Sequence, residues 1–280
     1  IWHRLHMQWL RGQRGDAPEL TVHLQNISRR HLSRPGKHWL IPNLEWLRNE
    51  LEFLLPSMDR ILCKTQDAVE QLRHRHAGVL YTGFSSTRLP ERISGDLRYD
   101  QVLHVAGNNR KKGTEVLLDL WRRHPEWPML HLVIDWHRRP AQCPANITVH
   151  TQLNDGELLR LRSESGFVLA PSEAEGFGHV LIEGMAWGGI VVTVDAPPMN
   201  ELVGSDRGVC VPWNRSTPCR LGCQYFVDAF LLESALDQLF ARDQDWLEER
   251  AARAHQWVRE NHQRFRQDFQ QLLKKDLSLS

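Results

Sequence analysis

Two carboxylates eight positions apart, Glu175 and Glu183, bracket a glycine turn, Gly176-Phe177-Gly178, and the histidine that follows it, His179. Glycines let a backbone approach a ligand closely, and the first amides of a helix are unpaired donors, so a glycine turn entering a helix can hold an anion. Glu183 stands among Val180, Leu181, Ile182, Met185 and Ala186, where burying a carboxylate without a partner is costly. His179 and Glu183 are spaced i, i+4 and share a helix face, and helical side chains lean toward the N-terminus, which brings both near the turn. A second anion-binding candidate lies upstream, where Gly107 is followed by Arg110, Lys111, Lys112, Gly113 and Thr114. Glycine, three consecutive cations and a helix start suit a diphosphate; charge alone would equally describe a solvated basic loop.

Strands and helices must hold these groups. The apolar runs at 167–170 and 190–194 read as strands buried on both faces of a parallel sheet, with a helix at 179–187 between them. Upstream, strands are expected at 101–106, 130–134 and 147–150, and helices at 114–123 and 155–162. The loops at 135–137 and 150–154 lie on the side where open α/β sheets bind ligands, which makes Trp136 and Leu153 candidates for a nucleobase, although a Trp there more often packs. Closer to the N-terminus, 20–26, 39–42 and 79–82 read as strands, 59–65 as strand then turn, 66–73 as a helix, and Asn43 as the N-cap of a helix after it. Residues 85–100 read as an interdomain linker. The remainder reads as a strand at 207–212, a loop at 213–223, a helix at 226–240 and two helices at 244–260 and 264–275.

At this point a family resemblance emerges. Pro171-Ser172-Glu173-Ala174-Glu175-Gly176-Phe177-Gly178, then Glu183-Gly184-Met185-Ala186, resembles the Glu, seven residues, Glu signature of retaining, nucleotide-sugar-dependent glycosyltransferases of the GT-B fold (group 1, family 4-like). The resemblance covers residues 101–212 well and 38–84 loosely. It implies an α/β protein of two Rossmann-like domains whose parallel sheets face a cleft, the first domain reduced. Residues 1–95 would form the acceptor-side domain and 96–262 the nucleotide-sugar domain, with 263–280 a helix returning toward the first. By the same resemblance Glu175 contacts donor-sugar hydroxyls, Glu183 holds the ribose, and Gly176, Phe177, Gly178 and His179 line the donor. Lys112-Gly113 matches a Lys-Gly of the family, and Arg110 stands closer to Lys112 than the family's arginine does. Residues 195–203 resemble the loop that sets backbone amides on the diphosphate, bringing in Met199, Asn200 and Glu201; Asn43 and Glu45 fall on the acceptor side. The implied reaction moves a sugar from a nucleotide-diphosphate sugar, a UDP-sugar first among them, to a hydroxyl acceptor with retention of configuration. No cofactor beyond this co-substrate is expected, and no metal.

Composition bounds the rest. A chain of 280 residues, 41% hydrophobic and 25% charged, suits a globular protein of two domains. It has neither an apolar run of the ~20 residues a membrane helix needs nor a secretory signal, so cytoplasmic residence is expected. The first residue is Ile1, so the start is expected to be processed, trimmed or a fragment. Five cysteines give no paired framework, and Cys219 and Cys223 lack two further ligands at zinc-site spacing. Charge is uneven: residues 1–150 hold 22 Lys and Arg against 15 Asp and Glu, residues 151–280 hold 13 against 19. Arg29, Arg30, Arg34, Lys37, Arg73 and Arg75, interleaved with histidines and tryptophans, leave open a nucleic-acid partner, and with it a glycosyltransferase acting on a hydroxymethylated DNA base. An inactive sugar-nucleotide binder is the other alternative.

Overall fold

Short apolar runs alternating with amphipathic segments give two parallel sheets in a computed structural model that describes residues 18–86, 89–91, 93 and 95–277. The basic, Trp-containing stretch at 1–17 and part of the expected linker lie outside the described residues. The first sheet runs β1 (Leu20–Gln25), β2 (Lys37–Pro42), β3 (Arg60–Cys63), β4 (Val79–Tyr81), in that spatial order. Helix α1 (Gln66–Leu72) joins β3 to β4, and the Thr65 hydroxyl caps it by accepting the Ala68 amide at 3.2 Å.

The second sheet contains β5 (Arg98–Gly107), β6 (Met129–Ile134), β7 (Ile147–His150), β8 (Ser165–Ala170), β9 (Ile190–Val194) and β10 (Val209–Val211). Its spatial order is β10-β9-β8-β5-β6-β7, all pairs parallel. The chain winds outward from β5 in one direction and from β8 in the other, so the carboxyl ends of these two central strands flank the topological switch point, where ligands of open α/β sheets bind. Helices α2 (Thr114–Arg123), α3 (Asp155–Glu164), α4 (His179–Ala186) and α5 (Met199–Leu202) make the crossovers. An antiparallel hairpin follows, β11 (Trp213–Cys219) and β12 (Gly222–Val227), then α6 (Ala229–Phe240) and α7 (Gln244–Leu277). One face of the second sheet packs Phe167 and Leu169 against Trp121, Trp127 and Leu236; the other packs Val168 and Val191 against Leu181, Ile182, Met185, Ala254 and Val258.

Several segments differ from the sequence reading for identifiable reasons. The stretch 213–223, read as a loop, belongs to the hairpin, whose first strand, WNRSTPC, carries little apolar alternation. The two expected C-terminal helices are one continuous α7, because no Gly or Pro interrupts 261–263 and the buried Asn261 side chain donates to the Phe84 carbonyl at 2.8 Å instead of competing for the helix's own backbone. Asn43 caps no helix. Its carbonyl accepts the amides of Trp46 and Leu47 in a single turn, its side chain accepts from Lys64 Nζ, and the next helical segment is a 3-10 stretch, Asn49–Ser57. The strand expected at 101 starts at Arg98, within the supposed linker. Helix α7 reaches back to the first sheet: Phe269, Leu272 and Leu273 pack on Trp39, Ile41 and Leu62, and Asp276 binds Arg60 through both oxygens at 3.0 and 3.1 Å.

Buried histidines stitch both sheets. The Ser28 amide donates to His23 Nδ1, so His23 carries its proton on Nε2 and donates it to His38 Nδ1 at 3.1 Å. In the second domain the Leu169 carbonyl can only accept from His104 Nδ1, at 2.7 Å, leaving Nε2 to accept from the Thr114 hydroxyl at 3.0 Å. Burial drives His23 and His104 each down to about 4, with neighbouring His38 and Lys112 respectively acting in the same direction. A group that resists protonation only when folded contributes stability above its unfolded value and loses it as pH falls. The contribution of these two histidines to stability is therefore expected to be constant above about pH 6.5 and to be lost progressively toward pH 4, so His104→Gln, which removes one of the two titrations, should shallow the acid-side fall in melting temperature relative to the unsubstituted chain in thermal melts run across that range.

Candidate active site

The carboxyl ends of β5 and β8 carry the two loops singled out by composition. After β5, whose last residue is Gly107, a 3-10 turn places Arg110, Lys111 and Lys112 in succession. Gly113 closes it at φ 67°, a left-handed conformation, and a Cβ there would stand 2.3 Å from the Pro171 carbonyl oxygen. The close fit sets this turn against the loop after β8. The Glu173 amide donates to the Lys111 carbonyl at 2.8 Å, and Lys112 Nζ donates to Glu175 Oε1 in an ion pair whose side chains are 15% and 10% exposed. Arg110 is exposed at the head of the turn.

Beyond the loop, α4 buries Glu183 against the sheet. Its carboxylate is not left alone: Arg162, on α3, donates to Oε2 at 2.5 Å, with both side chains mostly covered. Burial raises the Glu183 carboxyl above the usual carboxylate range, and Arg162 opposes that rise. His179 opens the helix. Its Nδ1 lies 2.9 Å from the Ser86 hydroxyl, and its ring meets Phe84 and Phe177 edge-on. Burial, helped by Lys64, holds His179 down to about 4, so the imidazole is neutral at physiological pH.

The first domain closes over this loop. A Cβ on Gly176 would stand 2.2 Å from the Asn43 side chain and 2.6 Å from Glu45 Oε1, so only glycine lets the turn dock there. Asn43 and Glu45 are thus brought against the glycine turn rather than held across an open gap. Burial pushes the Glu45 carboxyl up to about 7; Glu175 acts in the same direction, while its own backbone amide, Lys64 and Lys112 oppose it. Lys64, at the end of β3, donates to Asn43 Oδ1 and lies 5.1 Å from the Phe84 ring centroid; burial brings its ammonium down to about 8.

The remaining candidates are dispersed. Met199 is fully buried in the core of the second domain, and Asn200 donates to Asp195 at 3.1 Å. The Glu201 carboxylate crosses to the first domain, where it accepts the amides of Gln66 and Asp67 at 2.6 and 2.8 Å and so caps α1 from outside. Trp136 is 49% exposed with the Arg139 guanidinium 3.3 Å from its ring centroid, and Leu153 is half-buried against the core. Three contributors escaped the sequence reading: Arg162, Lys64 and His104. Each acts through a partner distant in sequence, and only the basic end of the helix at 155–162 hinted at one of them.

In residues 85–217 the chain matches the family model described as Glycosyl transferases group 1. The match spans just under half of the chain. No curated protein sequence matches it significantly. Among solved structures it resembles a glycosyltransferase from Rickettsia africae at TM-score 0.65 and 16% identity, over 88% of this chain and 72% of that one. It resembles the sucrose-phosphate synthase of Thermosynechococcus elongatus at TM-score 0.70 and 16% identity, over 94% and 75%. The HepE protein of Anabaena, solved with UDP and glucose, aligns at TM-score 0.64 and 18% identity, over 87% and 72%. The chain spans about half of longer neighbours such as TarM, 50% of whose length it covers. The fold is GT-B, in a chain shorter than these neighbours. Among the described residues no helix is long and apolar enough to cross a membrane.

The Arg162–Glu183 pair gives a direct test of the site's construction. Arg162→Ala leaves a buried carboxylate without its cation and is expected to cost roughly 3 kcal/mol in urea unfolding, whereas Arg162→Ala with Glu183→Gln should recover most of that loss.

Proposed function

We propose that the chain is a retaining glycosyltransferase that moves a sugar from a nucleotide-diphosphate sugar, a UDP-sugar first among candidates, to a hydroxyl acceptor. The observation that carries this reading is the Lys112–Glu175 pair at the switch point, beside a glycine turn that opens α4. A departing diphosphate needs fixed positive charge where negative charge grows, and Lys112, with the exposed Arg110 nearby, is the group placed to supply it. Unpaired amides at the start of α4 add to the same field. Glu175, freed from Lys112 by the diphosphate, would accept hydroxyls of the donor sugar, and Glu183 the ribose hydroxyls, with Arg162 favouring its ionised form. Neither carboxylate acts as a nucleophile in this scheme.

The turn at Met199–Leu202 follows the carboxyl end of β9, on the same edge of the sheet, and contributes to donor binding through its main chain, since the Glu201 side chain caps α1. Trp136 and Leu153, after β6 and β7 on that edge, remain the candidates for the base. Because side chains provide the neutralising charge, the reaction is proposed to need no metal. All five cysteines are free, which suits a reducing, cytoplasmic setting. Of the cations that suggested a nucleic-acid acceptor, Arg73 pairs with Glu70, Arg75 with Glu52 and Lys37 with the Asp276 carbonyl, so these three are engaged within the protein.

Thermal shifts with UDP, GDP, ADP and their sugars test the donor assignment: one nucleotide should stabilise the protein, and Glu183→Ala should abolish that shift. Lys112→Ala is expected to lower kcat by about 10²–10³-fold, read on protein that circular dichroism shows to be folded. Activity unchanged by EDTA and a product with the donor's anomeric configuration, read by NMR, are the further expected outcomes; an inverted product would sink the retaining assignment.

A further inference from the structure

A cavity of about 260 Å³ opens beside Glu175, between Leu44 and Glu45 of the first domain and Pro218 to Tyr225 of the β11–β12 hairpin. Most of that hairpin lies beyond residue 217, where the family match ends. It is seated on both domains. Leu221 packs on the core that holds Leu44 and Leu47, Arg220 donates to the Trp46 carbonyl, and a Cβ on Gly222 would stand 3.3 Å from Leu44 Cβ. On the other side the Tyr225 amide donates to the Glu173 carbonyl at 2.7 Å, and Gln224 donates to the Glu173 carboxylate. The hairpin therefore bridges the domains over the cavity and limits the size of what enters. The volume lies just below the roughly 300–1,000 Å³ of pockets for drug-sized ligands, which suits a guest of monosaccharide size.

The lining decides the charge of that guest. Glu45, Asp67 and Glu175 face the cavity, and no Lys, Arg or His lines it among the described residues. The nearest cations are already engaged: Lys112 with Glu175, Lys111 with Cys219 Sγ at 2.9 Å, Lys64 with Asn43. Glu45 is only 8% exposed, and the donor that reaches its carboxyl is its own backbone amide. A phosphate or carboxylate in this space would meet carboxylates and no counter-charge, whereas hydroxyl or ammonium groups would find acceptors. Pro42, Leu44, Pro198 and Tyr225 supply apolar surface for the C–H face of a sugar ring.

We infer that this cavity receives the acceptor, and that the acceptor is a small polyhydroxylated molecule of monosaccharide size carrying neither phosphate nor carboxylate. The inference rests on the glycosyl-transfer reading above. In the transfer, the acceptor oxygen bonds to the anomeric carbon as that carbon's bond to the diphosphate breaks, and the hydroxyl proton leaves with the nucleoside diphosphate.

The test uses the full chain with whichever nucleotide sugar stabilises it, and measures acceptor-dependent release of nucleoside diphosphate. The acceptors are matched sets: glucose, glucosamine, glucose 6-phosphate and glucuronate; the corresponding mannose series; and a hydroxymethylated DNA duplex. The uncharged or amine-bearing members are expected to react at least tenfold faster than their anionic counterparts and than DNA. Glu45→Gln combined with Asp67→Asn should narrow that gap to under threefold while the donor-induced thermal shift persists. An anionic sugar or the DNA reacting as fast as the neutral sugar overturns the inference, as does donor binding with transfer to none of the set. Absence of both donor-induced stabilisation and donor hydrolysis is a separate failure, one that removes the glycosyl-transfer reading itself.

Discussion

Lys112 and Glu175 meet where two neighbouring parallel strands end, with little water around either. An ion pair in such a place is stable only when both partners are held by backbone that cannot drift apart, because the desolvation of each charge must be offset by the other. The surrounding structure can be understood as the means of holding them. Gly113 allows the first loop to touch Pro171, the Glu173 amide ties the second loop to the Lys111 carbonyl, and neutral His104 links β5 to β8 and to the start of α2. The Lys112–Glu175 geometry is thus fixed by main-chain contacts before either side chain is considered.

The same loops also bind the two domains together. Gly176 docks on Asn43 and Glu45, Glu201 caps α1 across the seam, and Phe84 sits between Phe177, His179, Phe265 and the Lys64 ammonium. Helix α7 runs beneath both sheets, burying Ala254 and Val258 in the second domain and setting Phe269 against Trp39 in the first. An interface built from polar caps and a few aromatic contacts is the kind that allows relative domain motion, while the continuous α7 restrains its direction. Opening along this seam would uncover Glu45 and Lys64, whose ionisation burial disturbs.

Much of this architecture was legible because it depends on local chemistry. Apolar runs such as Val191–Val192 and Val168–Leu169, buried on both faces, announce parallel strands whatever their neighbours, and Glu175 and Lys112 each stand beside glycines within a local motif, although only the fold brings the two together across 63 residues. Asn43 failed as a helix cap because a buried ammonium, Lys64, claims its side chain from 21 residues away. Arg162, Lys64 and His104 carry no local mark; their importance arises from partners on other elements, which a linear pattern does not encode. The hairpin was missed for a similar reason. Its first strand is polar and mostly exposed, and what keeps it extended is its antiparallel pairing with β12, with the turn residues Leu221 and Arg220 seated on the first domain, rather than a buried face of its own.

The cleft satisfies its charges internally, and that constrains how the proposed ligands could enter. Separating Lys112 from a largely buried Glu175 would cost on the order of 3–5 kcal/mol if nothing replaced either partner. A neutral sugar cannot offer Lys112 an alternative, but a diphosphate can, since it brings more negative charge than the carboxylate it displaces. Glu175 would then be left buried without its cation, and hydroxyl donors from the attached sugar are the natural substitute. The two halves of a nucleotide sugar would therefore compensate opposite halves of one ion pair: the diphosphate takes over Lys112 and the sugar takes over Glu175. A free nucleotide would satisfy only the first, so on this construction recognition of the sugar is coupled to recognition of the diphosphate.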